Sequence, residues 1–213
     1  DQFAFRDDLV RWNNYFRVVC LHDGAGGGGA AALTTAKSGA PVILGREGWM
    51  FFTGDHVLDD YRCICPFSEE DLDRWQNVLQ QRHDWLAARG IRYFVYVAPN
   101  KHTLYSEYLP SDVRRVGTRS RFDEFLERMR AQSTVPVLDL RPALRQAKRQ
   151  RQIYYLSDTH WNDYGAYVGY TVVMQQLARL STVSPPTPLS AFRIDTGEEH
   201  SGDLASMLGL GGV

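Results

Sequence analysis

The run IRYFVYVAPN, residues 91–100, constrains the fold more than any other stretch of this 213-residue chain. It is almost continuously apolar, as are strands covered on both faces of a parallel sheet, and it ends at a proline. A helical pattern at about 118–131 separates it from a second strand-like run, VPVLDL, at 135–140. Because strands that alternate with helices build layered sheets, the sequence predicts an α/β fold. Its central parallel strands should include about 91–97 and 135–139.

The first quarter of the chain contains a predicted helix, a loop and a hairpin. Apolar residues recur at helical spacing over 6–19, which favours an amphipathic helix. Residues 23–40 are rich in Gly and Ala and are typical of a flexible loop. They lack the Gly–Lys spacing and the preceding strand of a phosphate-binding loop. In residues 41–55, PVILGREGWMFFTGD, a glycine-bracketed turn separates two apolar runs and predicts a β-hairpin.

Two long helices have recognisable start signals. Ser68 and Asp71 have the spacing of a capping box, and Gly90 suits the end of the helix that follows. Asn162 can cap a second helix that extends to about residue 180. The residues expected to line the buried faces are Leu72, Trp75, Leu79 and Leu86 in the first helix, and Ala166, Val173, Leu177 and Leu180 in the second.

Composition excludes several classes of protein. Lys and Arg total 24 against 25 Asp and Glu, so a formal net charge of −1 gives no overall attraction for nucleic acid. No apolar run approaches the ~18 residues that a membrane-spanning helix requires. The six histidines show no metal-ligand spacing, so no metal site is expected. Cys20 could form a disulfide with Cys63 or Cys65, or all three could be free thiols.

The segment LSDTHWN, residues 156–162, concentrates hydrogen-bonding side chains. Asp158 and His160 are two apart, so in an extended segment both face the same surface. A carboxylate beside an imidazole can fix its tautomer and stabilise the imidazolium, as in a general-base pair. The alternative is structural, with Asp158 capping the following helix and His160 bonded to backbone.

Both APNKHT and LSDTHWN follow predicted strands, where loops at carboxyl ends form the sites of open α/β sheets. Lys101 could pair with a carboxylate near the site, meet an anionic sugar, or be an ordinary surface lysine. Asn100 could contact substrate or only terminate the strand. Trp161 could stack on a sugar face or pack beside the motif. Five basic residues at helical spacing form either a solvated face or a surface for a polyanionic glycan: Arg141, Arg145, Lys148, Arg149 and Arg151.

Five segments occur in a characteristic order: FAFRDDLVRWNN, VILGREGWMFF, VAPNKHTLYSEYLP, LSDTHWNDYGA and SGDLASMLGL. Together they resemble the SGNH-hydrolase-like domain of the AlgJ/AlgX-type O-acetyltransferases of alginate and related exopolysaccharides. The resemblance covers nearly the whole chain apart from the Gly-rich loop. It implies a single domain with a flavodoxin-like, three-layer α/β/α parallel sheet. It also implies a periplasmic protein without a cofactor, with an inner-membrane anchor upstream as an open possibility.

The resemblance further implies a Ser-His-Asp mechanism in which the family's Asp-x-His pair falls on Asp158 and His160. The candidate substrate-binding residues, which would contact the polysaccharide acceptor, are Lys101, Asn100 and Trp161. A membrane-bound acyltransferase partner would deliver the acetyl donor. In this family the nucleophilic serine follows the Asp-x-His pair in a G-D-S-like turn, whereas GDL at 202–204 has leucine in that place. The serine is therefore expected beyond residue 213, with the domain incomplete at its C-terminus and residues 1–213 alone inactive.

Three serines close to the motif segments do not suit the nucleophilic role. In an extended segment Ser157 points away from Asp158, and Ser201 and Ser206 lack the tight strand-to-helix turn that exposes a nucleophile. Two alternative functions stay open at this stage: a carbohydrate acetyl esterase, and a non-catalytic polysaccharide-binding scaffold of the same fold. A hydrolase that uses Asp158 and His160 as metal ligands is a third and weaker hypothesis.

Overall fold

A computed structural model describes residues 41–193 and 202–210. The predicted helix at 6–19 and the predicted loop at 23–40 lie outside the described residues. Three short 3-10 helices, Arg46–Gly48, Ser106–Tyr108 and Leu189–Ala191, accompany the main elements. In chain order these elements are β1 (Val42–Leu44), β2 (Met50–Phe52), α1 (Val57–Arg62), α2 (Glu69–Ala87), β3 (Val95–Val97), α3 (Lys101–Leu104), α4 (Arg121–Gln132), β4 (Val137–Asp139), α5 (Arg141–Lys148), α6 (Asp163–Leu180) and α7 (Asp203–Met207).

The predicted hairpin is present and lies in the larger core. β1 and β2 pair antiparallel, with Val42 opposite Phe52 and Leu44 opposite Met50. The turn between them uses left-handed backbone at Glu47 and Gly48, which allows the chain to reverse within a few residues. Because both strands contribute apolar side chains to the core that also holds Leu140, Leu144 and Ile153, the hairpin is fixed against α5 and the motif segment.

The predicted parallel pairing of the two apolar runs is confirmed. Val95 of β3 lies opposite Val137 of β4, and Val97 lies opposite Asp139. The strands are shorter than predicted, and within the described residues β3 pairs with β4 alone. Tyr96 of β3 is 50% exposed, so the expectation that this run is covered on both faces is not met by the described residues.

The first long helix begins as predicted but buries fewer of the residues that were expected to face the core. The Ser68 side chain accepts from the Asp71 amide, and the Asp71 carboxylate accepts from the Ser68 amide, which completes the capping box. α2 packs on α4 through a second core that includes Leu72 and Leu79. The prediction that Trp75 is buried is wrong: its ring lies edge-on to Phe125, and the residue is 48% exposed.

The helix after the motif, α6, begins at its predicted cap: Asn162 Oδ1 accepts from the Gly165 amide at 2.9 Å. Its buried positions are Gly165 and Gly169, and the predicted burial of Ala166 is wrong. A Cβ on Gly165 would lie 2.2 Å from the Ile153 carbonyl oxygen, so only glycine allows this approach. None of the helices in the described ranges has the length and hydropathy needed to cross a bilayer.

Candidate active site

The motif segment folds back on itself as a small two-stranded loop. Tyr154 and Trp161 form an isolated antiparallel bridge, and the Asn162 amide donates to the Ile153 carbonyl at 3.2 Å. The Tyr154 hydroxyl donates to the Pro99 carbonyl, just after β3. The base of the loop is therefore fastened to the segment that leaves the carboxyl end of β3, where the sequence predicted a site.

Asp158 and His160 are in direct contact at the tip of this loop. His160 Nδ1 donates to Asp158 Oδ1 at 2.7 Å. The Asp158 side chain is buried, whereas the His160 side chain is 78% exposed. No group in the described part of the chain hydrogen-bonds Nε2. The structural alternative, with His160 held by backbone at both nitrogens, is wrong; Asn162 caps α6 instead of Asp158.

Asp203 is a site residue that the sequence analysis did not identify. Its Oδ1 accepts from the Thr159 amide at 2.7 Å, and its Oδ2 accepts from the Thr159 hydroxyl. Its own amide donates to Asp158 Oδ2 at 3.0 Å, and its Oδ2 lies 3.7 Å from His160 Nδ1. Two carboxylates therefore face the same ring nitrogen. The available sequence signal was the motif segment SGDLASMLGL, but no local spacing connects Asp203 with the Asp158 loop 45 residues earlier.

The start of α7 approaches the loop closely because residue 202 is glycine. A Cβ at Gly202 would lie 2.0 Å from the Ser157 carbonyl oxygen. That oxygen accepts from the amides of Leu204 and Ala205 at 3.1 and 3.2 Å. These bonds, together with the Asp203 contacts, fasten the loop to the start of α7.

Lys101 lies beneath the loop and is almost fully buried, with 3% of its surface exposed. Its Nζ donates to the Met50 carbonyl at 2.8 Å and to the Leu156 carbonyl at 3.1 Å. Burial lowers the pKa of this ammonium to about 8, and the charges of Asp158 and Asp203 oppose that shift. The possibility that Lys101 is a surface lysine is therefore wrong. It is a buried cation that remains mostly protonated at neutral pH.

The other two predicted substrate residues differ in setting. Asn100 is exposed at the start of α3, and its side chain makes no capping bond. Trp161 is partly buried, its Nε1 donates to the Tyr154 hydroxyl, and its indole packs on Gly169. Burial raises the pKa of Tyr154 above its ordinary value, which keeps this hydroxyl protonated. The packing of Trp161 agrees with its structural interpretation, and sugar contacts by either residue stay predictions.

Ligand atoms of Asp158, His160 and Asp203 all lie within 4.8 Å of one another, a spacing that could hold a cation. The hydrogen bonds that these side chains make indicate an acid–base role instead. Asp158 accepts at both oxygens, Asp203 accepts from Thr159 at both oxygens, and His160 Nδ1 donates to Asp158. A metal ion would have to displace several of these hydrogen bonds, so the arrangement fits a hydrogen-bonded acid–base pair better than a ligand set.

No serine hydroxyl in the described ranges hydrogen-bonds His160. Ser206 Oγ donates to the Gly202 carbonyl at 3.0 Å, and Ser201 lies outside the described residues. The Thr159 hydroxyl is on the Nδ1 side of the ring and donates to Asp203, so it cannot be activated by Nε2. The described residues thus supply a base and its orienting carboxylate, with Nε2 directed outward.

The basic residues of α5 do not form one continuous surface. Arg141 is largely buried, with both Asp139 and Asp123 as partners, and Lys148 bonds the Leu104 carbonyl and the Glu107 carboxylate. Arg145, Arg149 and Arg151 are exposed. Cys63 and Cys65 are free thiols, and Cys20 lies outside the described residues.

Comparison with known proteins connects this geometry to a family. Residues 42–213 match the family model described as "SGNH hydrolase-like domain, acetyltransferase AlgX". The chain is 28% identical over 178 residues to a probable alginate O-acetylase AlgJ of Pseudomonas aeruginosa, covering 83% of this chain and 44% of that protein. It is 27% identical over 171 residues to the protein of the same name from Pseudomonas putida, covering 79% and 42%. The chain thus spans less than half the length of these relatives.

A solved structure supports the fold. The O-acetyltransferase domain of Pseudomonas putida AlgJ superimposes with a TM-score of 0.53 at 23% identity, over 78% of this chain and 57% of that chain. This likeness and the family match confirm the predicted α/β, SGNH hydrolase-like fold.

Proposed function

The chain belongs to the family of the SGNH hydrolase-like domain of the acetyltransferase AlgX, and on that premise we propose that it serves O-acetylation of an alginate-like exopolysaccharide. The observation that carries the proposal is the 2.7 Å bond from His160 Nδ1 to the buried Asp158 carboxylate, which leaves Nε2 exposed. A carboxylate that holds Nδ1–H leaves a lone pair on Nε2, as a general base for acyl transfer requires.

In the proposed first half-reaction, His160 Nε2 takes the proton of a serine hydroxyl while the serine oxygen attacks the carbonyl carbon of an acetyl ester. The tetrahedral intermediate collapses, the donor's ester bond breaks, and the imidazolium returns its proton to the departing alcohol. An acetyl-serine remains. We propose that this serine lies outside the described residues.

In the second half-reaction, Nε2 takes the proton of a sugar hydroxyl, whose oxygen attacks the acetyl-serine. Collapse releases the acetylated sugar, and the imidazolium returns the proton to the serine. Asp158 holds the ring in one tautomer and stabilises the positive charge in both halves. Its burial strengthens that interaction, because water screens it little.

The acceptor, the donor system and the location are parts of the same proposal. We propose a uronate-containing polymer as acceptor, on the strength of the relatives' printed name. Asn100 is the exposed candidate for sugar contact next to the site, and Trp161 offers only a partly buried indole. Direct contact of Lys101 with a sugar stays a prediction, which its burial disfavours. A membrane-bound acyltransferase that delivers the donor, and a periplasmic location, follow only from the family resemblance.

The test is acetyl transfer by the full-length protein from a chromogenic acetyl ester to an oligouronate, read by mass spectrometry of the sugar. We expect one or more added acetyl groups, and we expect none with His160→Ala. Exposed Asp112→Asn is a control that should behave as wild type.

One observation favours a second candidate function. The 78% exposure of His160 leaves Nε2 open to water as well as to a sugar hydroxyl, so a carbohydrate acetyl esterase could use the same pair. Release of acetate without any acetylated sugar would replace the transferase proposal with the esterase. Oligosaccharide binding with neither reaction would favour a non-catalytic scaffold.

A further inference from the structure

Two carboxylates face the imidazole of His160, and the ammonium of Lys101 donates to the Leu156 carbonyl of the same loop. Asp158 Oδ1 and Asp203 Oδ2 lie 2.7 and 3.7 Å from its Nδ1. Lys101 lies below the loop, close enough that the charges of both carboxylates act on its ammonium. Two carboxylates and one ammonium leave one negative charge when the ring is neutral. They leave none when the ring is protonated.

We propose that Asp203 and Lys101 are opposed positioning residues of the Asp158–His160 pair, Asp203 favouring the imidazolium form of His160 and Lys101 limiting it. The inference rests on the proposed acyl-transfer function, since the imidazolium is the species that forms in both half-reactions. It assigns a role to two residues that do not touch the reacting atoms.

The hydrogen bonds of Asp203 do not require its charge. Its carboxylate accepts from the Thr159 amide and hydroxyl, and its own backbone amide donates to Asp158. An asparagine could accept from the same amide through Oδ1 and donate to the Thr159 hydroxyl through Nδ2. These hydrogen bonds therefore do not need the negative charge of Asp203. The nearest group on which that charge can act is the imidazole of His160.

The immediate contacts of Lys101 are all uncharged, including the rings of Trp49 and Phe51, whose centroids lie 5.3 and 5.5 Å from Nζ. Its direct partners, the carbonyls of Met50 and Leu156, are neutral, and no carboxylate in the described ranges is in ion-pair contact with it. Burying an ammonium with neutral partners alone is unfavourable. The position of Lys101 makes sense if its charge balances Asp158 and Asp203. In that position its positive charge offsets part of the field of the two carboxylates.

Other titratable groups near the site come from two elements. Tyr155 lies on the loop itself, where burial raises its pKa and the charges of Asp163 and Asp158 add to that shift. His102 follows Lys101 on α3, and burial lowers its pKa to about 4, so it is neutral over the working range. Neither adds a charge near neutral pH.

The test compares pH profiles of acetyl transfer by the full-length protein carrying Asp203→Asn or Lys101→Met. The acid limb reports loss of the neutral base. We expect Asp203→Asn to move it to lower pH and Lys101→Met to move it to higher pH, each by about 0.5–1 pH unit. Asp112→Asn and Lys148→Met, which remove charges elsewhere, should leave the limb unchanged. A purely structural role would lower the rate without moving the limb.

A second measurement separates this inference from the proposed function. The His160 ring resonance, assigned by its loss in His160→Ala, is titrated by NMR in the same variants, without any need for activity. Opposite displacements of its midpoint support the inference even if wild type transfers no acetyl group, which would refute the proposed function alone. Unmoved midpoints, or displacements of the same sign, would overturn it. If Lys101→Met does not fold, the isosteric Asp203→Asn decides by the sign of its displacement.

Discussion

Asp158 holds His160 through a single oxygen: Oδ1 accepts both the ring Nδ1–H at 2.7 Å and the backbone amide of the same residue at 2.8 Å. The backbone and the ring of His160 are thereby fixed to one point. The other oxygen of Asp158 accepts from the Asp203 amide, so the carboxylate cannot rotate without breaking a third bond. Such preorganisation keeps Nε2 in one direction in the absence of substrate.

Replacing Asp158 by asparagine tests the orienting role. The amide retains the shape, but its NH2 group can oppose the Nδ1–H and favour the tautomer with the proton on Nε2. We expect acetyl transfer to fall on the order of 10⁴-fold, as in the corresponding serine-protease case. Initial rates measure the effect, with Asp163→Asn as the control because this carboxylate is exposed. A loss smaller than tenfold would argue against the pair.

Thr159→Val tests the attachment of the loop to α7. The substitution removes the hydroxyl that donates to Asp203 and retains the amide that does the same. We expect the free energy of unfolding to fall by about 1.5–3 kcal/mol, the usual cost of a lost hydrogen bond to a charged group. Urea denaturation measures it, and Thr118→Val at an exposed position should change little. Equal stability of both variants would show that the hydroxyl does not hold the loop.

Gly202→Ala tests the close approach of α7. The new methyl group would overlap the Ser157 carbonyl oxygen at 2.0 Å, so backbone has to move. We expect a cost of about 2–3 kcal/mol by denaturation, in the range of overpacked sites, together with lower activity. Gly90→Ala is the comparison, because Gly90 has open space and a φ of +72°. It should cost only about 1 kcal/mol from backbone conformation and leave activity intact. Equal costs would contradict the close packing.

The stability of the protein should depend on pH through His102. Burial lowers its pKa to about 4 in the folded state, from 6.5 for the free side chain. Between these values the unfolded chain binds more protons, so unfolding becomes more favourable as pH falls from 6.5 to 4. The loss amounts to about 3 kcal/mol when complete.

Urea denaturation of wild type and His102→Leu at several pH values measures this dependence. We expect the leucine variant to lose less stability than wild type between pH 6.5 and 4. His56→Gln serves as the control, because the His56 side chain is 84% exposed. Parallel pH dependences in wild type and His102→Leu would contradict the assignment.

Elements that depend on interactions between sequence neighbours were predicted from local sequence patterns. The capping box at Ser68 and the cap at Asn162 are short-range signals, and the hairpin follows from a turn between two apolar runs. The contact of Asp158 with His160 is also local, because the two residues are separated by a single position. In each of these cases the partners are neighbours in the sequence, so no knowledge of tertiary packing is needed.

Residues whose setting depends on distant partners were not predicted. Asp203 reaches the Asp158 loop across 45 positions, and Lys101 reaches Leu156 across 55. Lysine is seldom buried, so nothing in its identity signals that α3 would carry it beneath the loop. Trp75 is a similar case, since its helical spacing suits the core, whereas its exposure depends on how α2 packs against residues of α4 such as Phe125.

The loop that carries Asp158 and His160 is held from β2, α3 and α7, through the Met50 amide, the Lys101 ammonium and the amides of Leu204 and Ala205. These anchors span most of the described chain, so the position of the loop depends on long-range contacts although Asp158 and His160 are neighbours in the sequence. The contact between Asp158 and His160 is local, but its attachment to β2 and α7 is complete only when both helix α7 and the hairpin have docked on the loop. The fixed position of the base therefore requires that both ends of the described chain have come together.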